Sequence, residues 1–179
     1  MSSLRLSPIS YVVMGLIGLR GPSTPYQLKQ AAGRSINYFW PFPHSQLYGE
    51  PERLAEAGLL SEEREEGGRR RKVYSLTPAG KQTLEDWLAV PPNAIFEMRD
   101  QAVLQLFFSE YASEATIVAL AREQIELYGE RLAVYQTIAD QYREAPMSRR
   151  RMVPLELGMR MVKTYIDFWS DIAARPPKP

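Results

Sequence analysis

Four consecutive cations, Arg69, Arg70, Arg71 and Lys72, make the densest basic run in a chain of 179 residues, and they follow directly on Gly67-Gly68. Glycine lets a backbone approach a partner closely, and guanidinium groups fit phosphate through a planar fork of donors, so the run suits a polyanion. Arginine at a hairpin tip also fits a narrow minor groove. A second group, His44, Ser45, Gln46 and Tyr48, offers hydrogen-bonding side chains along one short stretch. Gln46 has the amide geometry to pair with adenine N6 and N7, and Ser45, His44 and Tyr48 can reach a base or a phosphate. Arg53 lies further on among Glu50, Glu52 and Glu56, where phosphate contact competes with ion pairing along the helix surface. Lys29, Arg34 and Lys81 are further phosphate candidates that cannot read sequence. Each assignment has a plainer rival. Glu62, Glu63, Glu65 and Glu66 could neutralise the basic run across a hairpin, Ser45 or His44 could cap a helix, and Tyr48 could pack inside.

Little else in the chain could carry chemistry. There is no Cys, and His44 is the only His, which removes disulfides, thiolate zinc sites and Cys or His nucleophile systems. No Gly-rich phosphate loop and no recognisable carboxylate pair is present, so an enzyme is the weakest reading and neither metal nor cofactor is expected. The formal charge is +1, from 22 Lys and Arg against 21 Asp and Glu, so a nucleic acid would have to be met by a local patch. The 45% hydrophobic and 24% charged shares belong to an ordinary globular chain with a proper core. No apolar run of 18 residues occurs and residues 1–21 lack a secretory signal pattern, which points to the cytoplasm.

The elements that position these residues are marked by prolines and glycines. Ser7-Pro8, Thr24-Pro25 and Thr77-Pro78 each set a capping hydroxyl before a proline at the first helical position. The first helix gathers Ile9, Val12, Val13, Leu16 and Ile17 on one face and ends near Gly18 to Gly21. The second is short, with Gln27 at capping-box spacing from Thr24, and stops at Gly33. After the aromatic stretch Tyr38 to Pro43, a third helix spans His44 to Ala57, with a kink or late start expected from Gly49 and Pro51. Leu59 to Glu65 and Arg70 to Leu76 form a hairpin, and Thr77 opens a helix holding Leu84, Trp87 and Leu88. Pro91-Pro92 separates this N-terminal domain, residues 1–90, from a second one over residues 93–175.

Helix, helix, helix, hairpin, helix is the order of a winged helix-turn-helix, whose third helix enters the major groove while the hairpin reaches the backbone or minor groove. The residues Leu6-Ser7, Gly21-Pro22, Tyr26-Gln27-Leu28-Lys29, Tyr48, Arg53-Leu54, Gly58-Leu59-Leu60 and Tyr74-Ser75-Leu76-Thr77-Pro78-Ala79-Gly80 stand in an order and spacing that resembles the PadR-like family of transcriptional regulators. Two positions depart from the family pattern: Pro25 stands where Gly usually precedes the Tyr of the second helix, and Gly49-Glu50 separates Tyr48 from Pro51. The resemblance implies a mainly α protein that binds double-stranded DNA at a palindromic operator. It further implies a repressor that some small aromatic or phenolic effector releases, with Trp40, Trp87, Phe96 and Trp169 as candidate pocket walls. A winged-helix module that binds protein instead of DNA is the rival from another class.

A reading head of about 90 residues is selective on DNA when paired, so the second half is expected to join two chains. In a helix from Pro154 to about Ala174, Leu155, Met159, Val162, Ile166, Trp169 and Ala173 follow steps of four and three, flanked by Met161, Tyr165, Phe168 and Ile172. Two apolar faces on one helix suggest a partner subunit. A middle helix opened by Ser113 repeats the pattern with Tyr128, Leu132, Tyr135, Ala139 and Tyr142, and a shorter one runs from about Met98 to Tyr111. The second half is therefore read as an antiparallel helical homodimerisation domain, with Arg149-Arg150-Arg151 in a solvated loop.

Overall fold

The computed structural model describes residues 5–65, 70–93, 95–143 and 149–178. The chain divides into two compact units, Met1–Ala94 and Ile95–Pro179. The architecture is mainly helical with a two-stranded wing, as a winged helix-turn-helix requires.

In the first unit α1 spans Pro8–Arg20, opened by Ser7, whose N–H donates to Ser10 Oγ at 2.9 Å. It closes at Gly21, whose φ of 85° is open to glycine and strained for other residues. Helix α2, Pro25–Gly33, begins with the reciprocal bonds of a capping box. Thr24 N–H donates to Gln27 Oε1 at 2.8 Å, and Gln27 N–H donates to Thr24 Oγ1 at 3.3 Å. A 3-10 turn at Ile36–Tyr38 leads towards α3, Gln46–Glu56, which starts two residues later than His44. Pro51 explains the delay in part: it lacks the N–H that would bond Leu47, and the first turn is held by tighter bonds such as Tyr48 N–H to Ser45 O at 3.2 Å.

Strands β1, Leu60–Arg64, and β2, Lys72–Leu76, pair antiparallel, with Leu60 opposite Leu76 and Arg64 opposite Lys72. Ser23 adds an isolated antiparallel bridge to β2 by exchanging both backbone bonds with Tyr74, at 3.0 and 2.9 Å. Helix α4, Pro78–Ala89, is capped by Thr77, whose hydroxyl accepts from Gly80 N–H at 3.0 Å. Around these elements Val13, Met14, Ile17, Leu28, Leu47, Leu54, Leu60 and Tyr74 form one buried core. Gly80 is where α4 meets the chain entering the wing: a Cβ there would stand 2.0 Å from the Leu59 carbonyl oxygen. Gly80→Ala is therefore expected to lower stability by about 2 to 3 kcal/mol through forced displacement of backbone, read as a lower urea midpoint.

The second unit contains α5, Gln101–Phe107, α6, Glu114–Arg143, and α7, Arg149–Ala174. Helix α5 is shorter than the expected span from Met98 to Tyr111, because Asp100 caps it and a separate 3-10 turn takes Ser109–Tyr111. Asp100 Oδ1 accepts from Ala102 N–H at 2.8 Å. Helix α7 starts five residues before Pro154, so Arg149, Arg150 and Arg151 lie in its first turns and are exposed, rather than in a loop. Pro154 thus stands inside the helix, where it lacks the N–H that would bond the Arg150 carbonyl. Helices α6 and α7 run antiparallel in one register. Tyr135 packs over Gly158, and seven residues along, Tyr128 meets Tyr165 at a ring separation of 4.6 Å.

Val162 and Trp169 are buried inside this unit, Trp169 completely, in a cluster with Ala102 and Ala121. Val162 and Trp169, assigned from sequence to the contact between subunits, thus pack within their own unit. Leu155, Met159 and Ile166 are half-buried, as are Tyr165 and Ile172 of the flanking stripe, while Met161 and Phe168 are exposed. No helix among the described residues is long and apolar enough to cross a membrane.

Candidate nucleic-acid interface

The start of α3 projects polar side chains because its apolar ones point inward. Leu47, Pro51 and Leu54 are buried in the core, and the alternation leaves Ser45, Gln46 and Tyr48 on the outside. Tyr48 is 50% exposed, so it does not pack inside. Ser45 occupies the N-cap position without a side-chain capping bond, which leaves its hydroxyl available. His44 is half-buried against Phe42, edge to face at 6.1 Å, beside an open hollow of about 570 Å³ lined by Asn37, Pro41, Phe42 and Pro43.

The basic candidates separate into two kinds. Arg70 and Arg71 are exposed at the wing tip and make no ion pair among the described residues. Arg70 has a φ of 43°, in the left-handed region. Arg69 lies outside the described residues. Lys29 and Arg34 are exposed on and just after α2, and Lys81 faces Glu85 on α4 at 3.6 Å with most of its side chain in solvent.

Arg53 and Lys72 are instead committed within the unit. The Arg53 guanidinium donates twice to Glu50, at 2.6 and 2.9 Å, and once to Ser10 Oγ at 3.1 Å. Ser10, fully buried in α1, donates to the same carboxylate at 2.5 Å. Burial alone would push the Glu50 carboxyl up, but the hydrogen bonds from Arg53 and Ser10, with the Arg53 charge, hold it below the ordinary carboxylate range. Lys72 on β2 bonds Glu52 on α3 and Glu62 on β1, the latter at 3.1 Å, and these bonds hold its ammonium above the usual lysine range. Glu62 is lowered in turn, first by Lys72. Of the acids read as neutralising the run, Glu62 engages its last member, Lys72, and reaches Arg64 only at 3.7 Å; Glu63 and Glu65 make no ion pair among the described residues, and Glu66 lies outside them.

Ser10 and Glu50 were not among the candidate site residues. The signal was nevertheless present, since a serine interrupts the apolar face formed by Ile9, Val13 and Ile17, and a polar group there needs a partner. Among the aromatic candidates, Trp40 is half exposed, Trp87 stacks on Tyr11 at 4.5 Å, Phe96 is exposed in the second unit, and Trp169 belongs to that unit's core.

Residues 13–86 match the model of the transcriptional regulator PadR-like family, and residues 98–175 match that of the virulence activator alpha C-terminal region. The negative transcriptional regulator PadR of Bacillus subtilis is 27% identical over 120 residues, which take in 66% of this chain and 65% of that relative's length. The crystal structure of Bacillus subtilis PadR in complex with operator DNA has a similar fold, with a TM-score of 0.84, 24% identity, and coverage of 94% of this chain and 98% of that one. The same protein in complex with p-coumaric acid matches with a TM-score of 0.78 and 23% identity, over 95% and 97% of the two chains. With a winged helix whose exposed edge is polar, a helical second unit, and the two units matched in turn by these two models, the chain is similar over residues 13–86 to the PadR-like family of transcriptional regulators.

Proposed function

We propose that this regulator is a homodimer that binds a palindromic operator in double-stranded DNA, represses by occupying it, and is released by a small aromatic effector. One observation carries the DNA-binding part: Ser45, Gln46 and Tyr48 stand exposed at the start of α3 in the same unit as the exposed Arg70 and Arg71. The first three have base-reading chemistry and the last two have phosphate-binding chemistry. His44, Lys29, Arg34 and Lys81 extend the surface, with the lysines and arginines acting on backbone alone.

Pairing is supported by apolar surface that the second unit leaves uncovered, including Phe107 at 78%, Tyr111 at 94% and Leu157 at 59% exposure. In this reading Met161 and Phe168 face the partner, joined by the outer edges of Leu155, Met159 and Ile166. Tyr165 and Ile172 support that face from within. Repression follows the description of the Bacillus subtilis relative as a negative regulator, and an aromatic effector follows its complex with p-coumaric acid. Of the four aromatic candidates for such a compound, Trp40, Trp87 and Phe96 are exposed within their units, whereas Trp169 is buried in its own.

The test is selection of bound genomic fragments by purified protein, followed by affinity measurements on the recovered operator. Gln46→Ala is expected to cost about 1 to 3 kcal/mol at one A·T position per half-site and to leave non-specific binding unchanged. A uniform loss across all sequences would instead make Gln46 a backbone contact, and recovery of a protein partner with no duplex affinity would favour a protein-binding winged helix.

A further inference from the structure

We propose that Lys72 is a positioning residue rather than a phosphate contact, a brace that ties the wing to the recognition helix through Glu52. The inference rests on the DNA-binding reading above and concerns how its two contact regions are held in register. Lys72 is paired with Arg64 at the outer end of the ladder, four residues beyond the pair of buried Leu60 and half-buried Leu76. Tyr74 is the last buried residue of β2 on the way to the tip, and Glu62, Glu63, Arg64 and Lys72 beyond or beside it are half-buried or exposed. Packing therefore fixes the base of the wing and leaves its outer end to polar contacts.

Lys72 supplies them on two sides at once. It bonds Glu62 on the neighbouring strand and Glu52 on α3, twenty residues away in sequence. Glu62 is also reached by the Tyr74 hydroxyl at 3.3 Å, which links the brace back to the core. With two carboxylates around its ammonium, Lys72 carries no surplus positive charge for a phosphate, and both carboxylates would repel one. Arg71, whose carbonyl accepts from Glu65 N–H at 3.1 Å, and Arg70 follow directly, so a swing of the hairpin at Lys72 is carried to both. A wing free to swing must be ordered on binding, and that conformational cost reduces affinity for the one arrangement in which α3 and the tip engage together.

The two readings of Lys72 give opposite signs for Glu52→Gln. If Lys72 binds phosphate, removing Glu52 frees a cation and deletes a nearby anion, so binding tightens. For a brace, Glu52→Gln weakens operator binding about five- to tenfold, Lys72→Gln does the same, and the double variant is no worse than either single one. Non-specific affinity and the salt slope stay at the wild-type values, because no phosphate contact is lost. The measurement is operator and non-specific affinity from 50 to 200 mM salt, with thermal melts showing that both variants remain folded. Tighter binding by Glu52→Gln, or a slope reduced by roughly 0.9 per lost contact in Lys72→Gln, overturns the brace while the DNA-binding reading stands. Wild-type protein that shifts no duplex at all removes both together.

Discussion

Replacing Arg70 and Arg71 together by alanine is expected to weaken operator binding about a hundredfold at 100 mM salt and to reduce the salt slope by about 3 to 4 for a dimer. The magnitude follows from counterion release, at roughly 0.9 in slope for each phosphate neutralised, with two cations lost from each of two subunits. Because phosphate carries no base identity, the loss should be nearly equal on operator and unrelated duplex, leaving the specificity ratio intact. Both side chains are exposed and unpaired among the described residues, so the variant should fold with unchanged stability. Titrations of fluorescent duplexes at four salt concentrations read all three quantities. A slope left at its wild-type value would remove the wing tip from the interface. Arg53→Ala should behave differently: its guanidinium is held by Glu50 and Ser10, so its removal leaves a half-buried carboxylate short of its partner and acts first on stability.

The second large effect is on folding. Trp169→Ala should lower stability by about 3 to 5 kcal/mol, because a completely buried indole packed beside Ala102 and Ala121 leaves a cavity that neighbouring helices cannot fill. Trp169→Phe should cost much less. The indole N–H has no hydrogen-bond partner among the described residues, so an aromatic ring without it breaks no bond and removes an unsatisfied donor. Urea unfolding of the two variants separates packing from polarity. Sedimentation separates both from assembly: if Trp169 were a subunit contact, the alanine variant would be a stable folded monomer. Burial within one chain makes general loss of folding the expected result instead.

Trp169, Arg53 and Lys72 mark the limits of sequence pattern. Trp169 lies in a run spaced by fours and threes, and such spacing shows that one side of α7 is apolar without showing what covers it. Periodicity is a property of one helix, whereas the covering surface belongs to another, here α5 and α6 of the same chain. Arg53 and Lys72 present the same limit for charge. The Arg53–Glu50 pair lies within one helix and was open to sequence reasoning, but the contacts that fix the outcome, Arg53 to Ser10 and Lys72 to Glu52, join elements 43 and 20 residues apart in sequence. The position of α3's first turn was also undecided by local propensity, since Gly49 and Pro51 both oppose a helix that burial of Leu47 and Leu54 nevertheless stabilises.

From its amino acids alone, the chain is committed to helices capped at Ser7, Thr24 and Thr77, to a glycine-containing hairpin between residues 64 and 72, and to a winged reading head followed by a helical half. Capping, turn chemistry and amphipathic spacing act over a few residues, so they are written directly in the order of the side chains. Folding alone determined that Glu50 turns Arg53 inward to Ser10, that Lys72 joins the wing to α3, and that Val162 and Trp169 close the second unit's own core. Those outcomes depend on which groups compete for the same neighbour at close range, and that competition exists only once distant segments have been brought together.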